Sequence, residues 1–230
     1  MTTIPGNLQH VRARIATACQ GAGRGVEEVT LLAVSKTFGA DAVRAAAAAG
    51  QRAFGENYIQ EGVEKIAALR DLGLMWHCIG PIQSNKTRLV AEHFDWVHTV
   101  DRLKIAERLS AQRPADRPPL NVCIQVNIDG GANKSGVAPG DALALARAVA
   151  ALPQLKLRGL MSIPEIAPDF EAARAVHASA RALFDQLNAD GLGLDTLSMG
   201  MSDDLEAAIA AGSTMVRVGT AIFGSRAPKP

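Results

Sequence analysis

The sequence predicts an α/β fold, a single (β/α)8 TIM barrel over residues 1–230 with one extra helix at its N-terminus. Three observations carry this. Short β-type runs alternate with longer, alanine-rich segments of helical period. Such alternation implies parallel strands joined by right-handed helical crossovers. The alternation counts to eight, the number at which a parallel sheet of this kind closes. The competing architecture, an open doubly wound sheet, is disfavoured because no G-x-G-x-x-G follows the first strand. A chain of 230 residues that is 48% hydrophobic can bury one core of this size.

In order, the pattern gives a first helix from about Leu8 to Cys19 and a strand at Thr30–Val34. Further strands are expected at Arg52–Phe54, Met75–Ile79, Trp96–Thr99, Asn121–Asn127, Lys156–Leu160, Thr196–Ser198 and Thr214–Val218. Helices are expected between them near 40–49, 57–71, 84–92, 101–112, 140–151, 169–189 and 202–211. Boundaries have local causes. Gly50 can end the helix before the second strand, Asp101 can cap the helix after the fourth, and Pro139 precedes the helix that begins near Asp141. The proline- and charge-rich segment Arg113–Pro119 reads as a solvated connection.

Charge and cysteine content narrow the function classes. With 24 basic and 23 acidic residues and no basic run, there is no electrostatic footprint for nucleic acid or an acidic membrane. Three widely spaced cysteines, Cys19, Cys78 and Cys123, fit neither a disulfide framework nor paired metal ligands, and His93 and His98 are poorly spaced for a helical metal pair. No metal is expected. The N-terminus lacks an apolar segment of signal length, and no uncharged stretch reaches membrane-spanning length. These features predict a cytoplasmic protein and a monomer, with small molecules or other proteins as partners.

In a barrel of this type the site is built from the residues just after each strand. Here they are polar: Ser35-Lys36-Thr37, Gly55-Glu56-Asn57-Tyr58, Gly80 to Lys86, Asn133-Lys134-Ser135-Gly136, Met161 to Pro164, Ser198 to Ser202, and Gly219-Thr220. Lys36 continues the parity of Leu32 and Val34, which aims it into the barrel mouth. Desolvation and neighbouring positive charge there would lower its pKa and suit it to imine formation. From this residue alone, a lysine snorkelling to solvent is the better reading. Ser198-Met-Gly-Met-Ser202, running into a helix over Asp203–Ala211, and Gly219-Thr220 after the eighth strand could form a phosphate cradle of backbone N–H groups. Ser202 could equally be a simple N-cap, and Asp203 and Asp204 must face away if a dianion is to bind. Arg217 lies inside the apolar run Thr214–Val218, where an unpaired guanidinium is costly, so Glu56 or Glu165 is an expected structural partner.

Five stretches, LLAVSKTF (31–38), FGENYIQE (54–61), WHCIGPIQSNK (76–86), GLMSIP (159–164) and LSMGMSDDLEAAIAAGSTMVRVGTAIFG (197–224), resemble the pyridoxal phosphate homeostasis protein family. That family's barrel is similar to the N-terminal domain of alanine racemase. The resemblance implies that pyridoxal 5'-phosphate (PLP) is held as a Schiff base on Lys36. It implies that Ser202, Gly219 and Thr220 hold the phosphate, that Arg217 faces the pyridine nitrogen, and that Asn57 lies near the ring. Ser198, Gly200 and Met201 belong to the same cradle motif. His77 and Cys78 end a strand and are read as core, and Phe38 and Cys78 occupy variable positions of the motifs.

Three functions are to be separated. The first is a non-catalytic carrier that binds and buffers PLP and delivers it to PLP-requiring apo-enzymes. The second is a weakly active PLP-dependent amino-acid racemase. Racemisation needs a base on each face of Cα; Lys36 accounts for one face, only ten residues follow Thr220, and Tyr58 is the sole tyrosine. The third is a cofactor-free Schiff-base aldolase, which the motifs match least. The carrier reading leads.

Overall fold

The structure is a computed structural model that describes residues 3–131 and 135–225. Eight parallel strands close a barrel in sequence order. They are β1 (Thr30–Val34), β2 (Ala53–Glu56), β3 (Met75–Cys78), β4 (Trp96–Val100), β5 (Leu120–Gln125), β6 (Leu155–Met161), β7 (Thr196–Ser198) and β8 (Met215–Val218). Strand β8 returns to β1 through the register Thr30 to Met215 and Leu32 to Arg217. The predicted fold class therefore holds; β1 and β7 have the expected limits, and the other six strands differ from theirs by one or two residues.

The helices are α1 (Ile4–Gly21), α2 (Ala40–Ala48), α3 (Ile59–Ala68), α4 (Thr87–His93), α5 (Leu103–Gln112), α6 (Ala142–Ala150), α7 (Phe170–Ala189), α8 (Leu205–Ala210) and α9 (Thr220–Phe223). The extra N-terminal helix starts earlier than its apolar pattern suggests, because Thr3 caps it: the Gly6 N–H donates to Thr3 Oγ1 at 3.3 Å. It buries Leu8, Val11, Ile15 and Cys19, one face at helical spacing, and lies against α2, α8 and α9. Gly50 ends α2 as expected, with φ 85°.

Two expected caps are not formed. Helix α5 begins one residue later than the Asp101 reading requires, with Arg102 at the N-cap position, and the Asp101 carboxylate pairs instead with Arg102 at 3.1 Å. Helix α8 begins at Leu205, not at Asp203, so Ser202 is not its N-cap. The cause is local: Asp204 Oδ1 accepts the Met201 N–H at 2.6 Å and closes residues 201–204 into a turn.

Strand parity divides the apolar residues into two layers. Ala33, Phe54, Val97, Val216 and Val218 belong to the core between sheet and helices. Leu32, Val34, Ile79 and Met215 pack together inside the barrel, and Trp96, Cys123 and Met161 form a second lumenal cluster. Between these lie buried polar side chains, His77, His98, Ser198 and Arg217. A lumen with a polar middle layer is costly unless its groups are paired, and it points to the end of the barrel where the site is built.

Candidate functional site

A cavity of about 260 Å³ opens at the C-terminal ends of the strands. Lys36, Asn57, Met201, Ser202, Arg217, Gly219 and Thr220 line it, together with the apolar side chains of Val34, Ile79 and Ile163. Seven of the nine residues singled out from the sequence thus converge on one space. Phe38, which also lines the cavity, stacks on Phe223 with ring centroids 5.2 Å apart.

Each lining group owes its position to the strand before it. Lys36 follows β1 with the parity of the lumenal Leu32 and Val34. Asn57 directly follows β2, and the chain after β3 crosses it so closely that a Cβ on Gly80 would sit 2.0 Å from the Asn57 carbonyl oxygen. Only glycine allows that approach. Asn57 Oδ1 is buried without a partner, an acceptor that a donor on a bound molecule would satisfy.

Arg217 is the most constrained group. It is 4% exposed, and its Nη1 donates to Ser198 Oγ at 2.8 Å while Nη2 donates to the Ser162 carbonyl at 2.9 Å. Neither expected carboxylate is its partner. Glu56 points outward and is engaged by Lys65 and Ser35, and the Glu165 carboxylate is exposed. Burial pulls the Arg217 pKa down to about 10, against the favourable field of Asp204, so the side chain stays a cation at neutral pH.

The contact with Ser198 continues inward. Ser198 Oγ lies 3.0 Å from His98 Nδ1, and His98 Nε2 lies 2.9 Å from His77 Nδ1. Arginine can only donate, so Ser198 Oγ accepts from it, and the Ser198–His98 and His98–His77 contacts each need one donor, whose direction follows the tautomers of the two neutral rings. Burial drives the His77 pKa down to about 3. Burial also holds His98 well below its usual value, helped by the fields of His77 and Arg217. Both rings are therefore neutral around pH 7. Trp96 stacks on His77 at 5.1 Å, and the Arg158 guanidinium lies 4.5 Å from the Trp96 ring on its way to Asp195.

Ser198 and Gly200 do not line the cavity. Ser198 is buried beneath it, and the Gly200 carbonyl accepts the Arg217 N–H at 2.9 Å. Gly200 holds φ at 95°, and a Cβ there would approach the Ala208 Cβ to 2.5 Å, so the residue keeps this loop tight against α8. The condition that both acids face away is met by one of them. Asp204 turns to His177 Nε2 at 2.8 Å and to the Met201 N–H, while Asp203 lines the cavity. Although burial pushes the Asp204 carboxyl up, those hydrogen bonds hold its pKa below the usual range. Lys86 does not line the cavity, and Asn133 and Lys134 lie outside the described residues. Among the described residues, no group of three or more His, Cys, Asp or Glu side chains could hold a metal ion.

The sequence reading missed the roles of His77 and His98. Their signal was parity: His77 alternates with lumenal Ile79, and His98 with lumenal Trp96, which puts both rings inside the barrel. In chemical terms the cavity offers an amine, a fixed guanidinium, two hydroxyls, an unpaired amide oxygen and apolar walls. A lysine amine and a fixed guanidinium share the space with one carboxylate, Asp203, an arrangement suited to a flat, anionic molecule bearing a carbonyl.

Residues 6–227 match the family described as "Alanine racemase, N-terminal domain", which sets the class of this barrel. The chain is 64% identical over 226 residues to the pyridoxal phosphate homeostasis protein of Pseudomonas aeruginosa, covering 98% of this chain and 97% of that one. Among solved structures it is similar to PipY of Synechococcus elongatus. The form without PLP has a TM-score of 0.85 at 40% identity, with 96% and 100% of the two chains covered. The form with PLP bound has a TM-score of 0.80 at 40% identity, covering 91% of this chain and 100% of that one. Alanine racemase from Corynebacterium glutamicum shares the fold, with a TM-score of 0.65 at 20% identity over 96% of this chain and 62% of its own. The chain belongs to the pyridoxal phosphate homeostasis protein family, within the alanine racemase N-terminal domain class.

Proposed function

We propose that this chain binds PLP as a Schiff base on Lys36, buffers the free aldehyde in the cytoplasm, and passes it to apo-enzymes that require it. The observation that carries this is the convergence of Lys36, Arg217, Ser202 and Thr220 on one cavity, in a family that includes a relative described with PLP bound. Lys36 would supply the amine for one C=N bond to the aldehyde, the aldehyde oxygen leaving as water. The hydroxyls of Ser202 and Thr220, with N–H groups of the turn at Gly219–Thr220, take the phosphate. Asn57 would lie beside the ring, and Arg217 would face the pyridine nitrogen. Three buried free thiols, Cys19, Cys78 and Cys123, suit a reducing compartment.

When bound, the cofactor supplies an aldehyde for storage and a ring able to accept electrons, and the protein decides which is used. A guanidinium that cannot discharge disfavours protonation of the ring nitrogen, which leaves the ring a weak electron sink. Racemisation also needs a second base. Tyr58 is 52% exposed and does not line the cavity, so it is badly placed to serve. These two features favour the carrier over the racemase.

The test is an absorption spectrum of the protein mixed with PLP, followed by borohydride reduction and peptide mapping. A visible imine band, and a reduced adduct on Lys36, is the expected result. An adduct on Lys86 or Lys134, or no imine band, overturns the assignment.

A further inference from the structure

Lys36 sits between two anchored neighbours. On one side, Ser35 Oγ donates to Glu56 Oε1 at 2.6 Å, and the Ser35 carbonyl accepts from Lys65 Nζ at 2.8 Å. On the other, the Thr37 N–H donates to Glu61 Oε1 at 2.7 Å. The two sides are joined, because Lys65 Nζ also donates to Glu56 Oε1 at 2.8 Å and to Glu61 Oε1 at 2.6 Å. An ammonium has three donors, and all three are spent on this network.

Two features mark the network as more than packing. Thr37 is the only non-glycine residue with positive φ among the described residues, at 69°. A β-branched residue is disfavoured there and stays only where its surroundings over-determine it. In addition, Glu56 is fully buried and the Lys65 side chain is 7% exposed. A buried ion pair is seldom more stable than apolar side chains of the same volume, so stability alone does not explain it. None of Glu56, Glu61 and Lys65 lines the cavity, but the Ser35–Thr37 turn that they hold carries Lys36, which does.

We propose that Glu56, Lys65 and Glu61 are positioning residues, a clamp behind the barrel wall that holds the Ser35-Lys36-Thr37 turn in its strained form and so presents the Lys36 amine to the cavity. The inference rests on Lys36 as the imine-forming lysine and adds what fixes its place. Glu61 carries the decisive link. Its carboxylate holds the Thr37 N–H, and at 31% exposure it can be replaced without leaving a buried charge unpaired beneath it, since Lys65 keeps Glu56.

The experiment follows imine formation by stopped-flow absorbance after the full-length protein is mixed with PLP. Glu61→Ala is expected to slow the reaction about tenfold, equivalent to about 1.4 kcal/mol, with unchanged far-UV circular dichroism. Glu61→Gln keeps an acceptor for the Thr37 N–H and should stay within about threefold of the parent. Thr37→Gly adopts positive φ without a tether, so Glu61→Ala/Thr37→Gly should recover most of the rate, which a merely structural loss would not allow. Parental speed in Glu61→Ala, equal loss in Glu61→Ala and Glu61→Gln, or no recovery in the double variant would each overturn the clamp. Amide hydrogen exchange of Thr37 in the cofactor-free protein separates this from the parent reading. If the parent forms no imine, faster exchange in Glu61→Ala still supports the clamp and unchanged exchange still refutes it.

Discussion

The two lumenal histidines make stability depend on mild acid, and the size of the effect can be worked out. Their folded pKa values lie below the ordinary histidine value of 6.5, His77 at about 3 and His98 well below 6.5, both chiefly through burial. The unfolded chain therefore binds more protons than the folded one between those values and 6.5, so stability is complete above about pH 6.5 and is lost as pH falls below it. For His77, moving from pH 7 to pH 5 costs about 2 kcal/mol, against a typical total of about 5–15 kcal/mol, and His98, lowered by the same burial, adds to the loss in the same direction.

Glu56 acts in the opposite direction. Burial pushes its carboxyl up, more than the Lys65 and Ser35 hydrogen bonds pull it down, so its protonation favours the fold as pH falls. That contribution is common to the parent and to His98→Asn, and it cancels in their difference. The assay is urea unfolding at pH 7 and pH 5. The stability lost over that interval should be smaller in His98→Asn than in the parent, whatever the variant's stability at pH 7. Equal losses in the two proteins would show that His98 is not held neutral by the lumen and would refute the neutral pairing of His98 with Ser198 and His77.

Ser202→Ala with Thr220→Val should weaken PLP binding, each hydroxyl contributing about 1.5–3 kcal/mol at most. Pyridoxal without its phosphate should bind parent and variant almost equally, and equal losses for both ligands would refute the phosphate role. Arg217→Glu should favour protonation of the ring nitrogen and accelerate exchange of the α-proton of alanine with deuterium, read by NMR at equal PLP occupancy. No difference from the parent would remove Arg217 from the ring nitrogen, and fast scrambling exchange by the parent would favour the racemase.

Much of this was legible in the sequence because period and parity are local properties. The alternation of β runs with alanine-rich segments predicted the closed barrel, and the parity of Leu32, Val34 and Lys36 predicted where the lysine points. What could not be read were pairings across the barrel. Arg217 needed a partner, and glutamates were the natural candidates, but its partners are a hydroxyl and a carbonyl, with the hydroxyl supported by a histidine 100 residues away in the chain. The start of α8 was misplaced for a similar reason. Asp203 and Asp204 look alike as first-turn acids, and only the bond from the Met201 N–H to Asp204 shows that one closes a turn while the other faces the cavity.

The two networks divide the control of the site. The clamp of Glu56, Lys65 and Glu61 lies between β2 and α3 and acts on the backbone that carries Lys36. The chain of Ser198, His98 and His77 lies inside the barrel and acts on the charge and orientation of Arg217. No residue belongs to both, and the sheet stands between them. On the proposed roles of Lys36 and Arg217, position of the amine and protonation of the ring would be set independently, and changes in the two networks should add in free energy. Glu61→Ala should slow imine formation by the same factor in the parent and in His98→Asn. If instead the second change alters the effect of the first by more than about 0.5 kcal/mol, the barrel wall transmits strain between them and the division is wrong. A carrier has a physical reason for such separation. Capture of the aldehyde requires a well-presented amine, whereas restraint from further chemistry requires a ring kept unprotonated, and a single network serving both could not weaken one without the other.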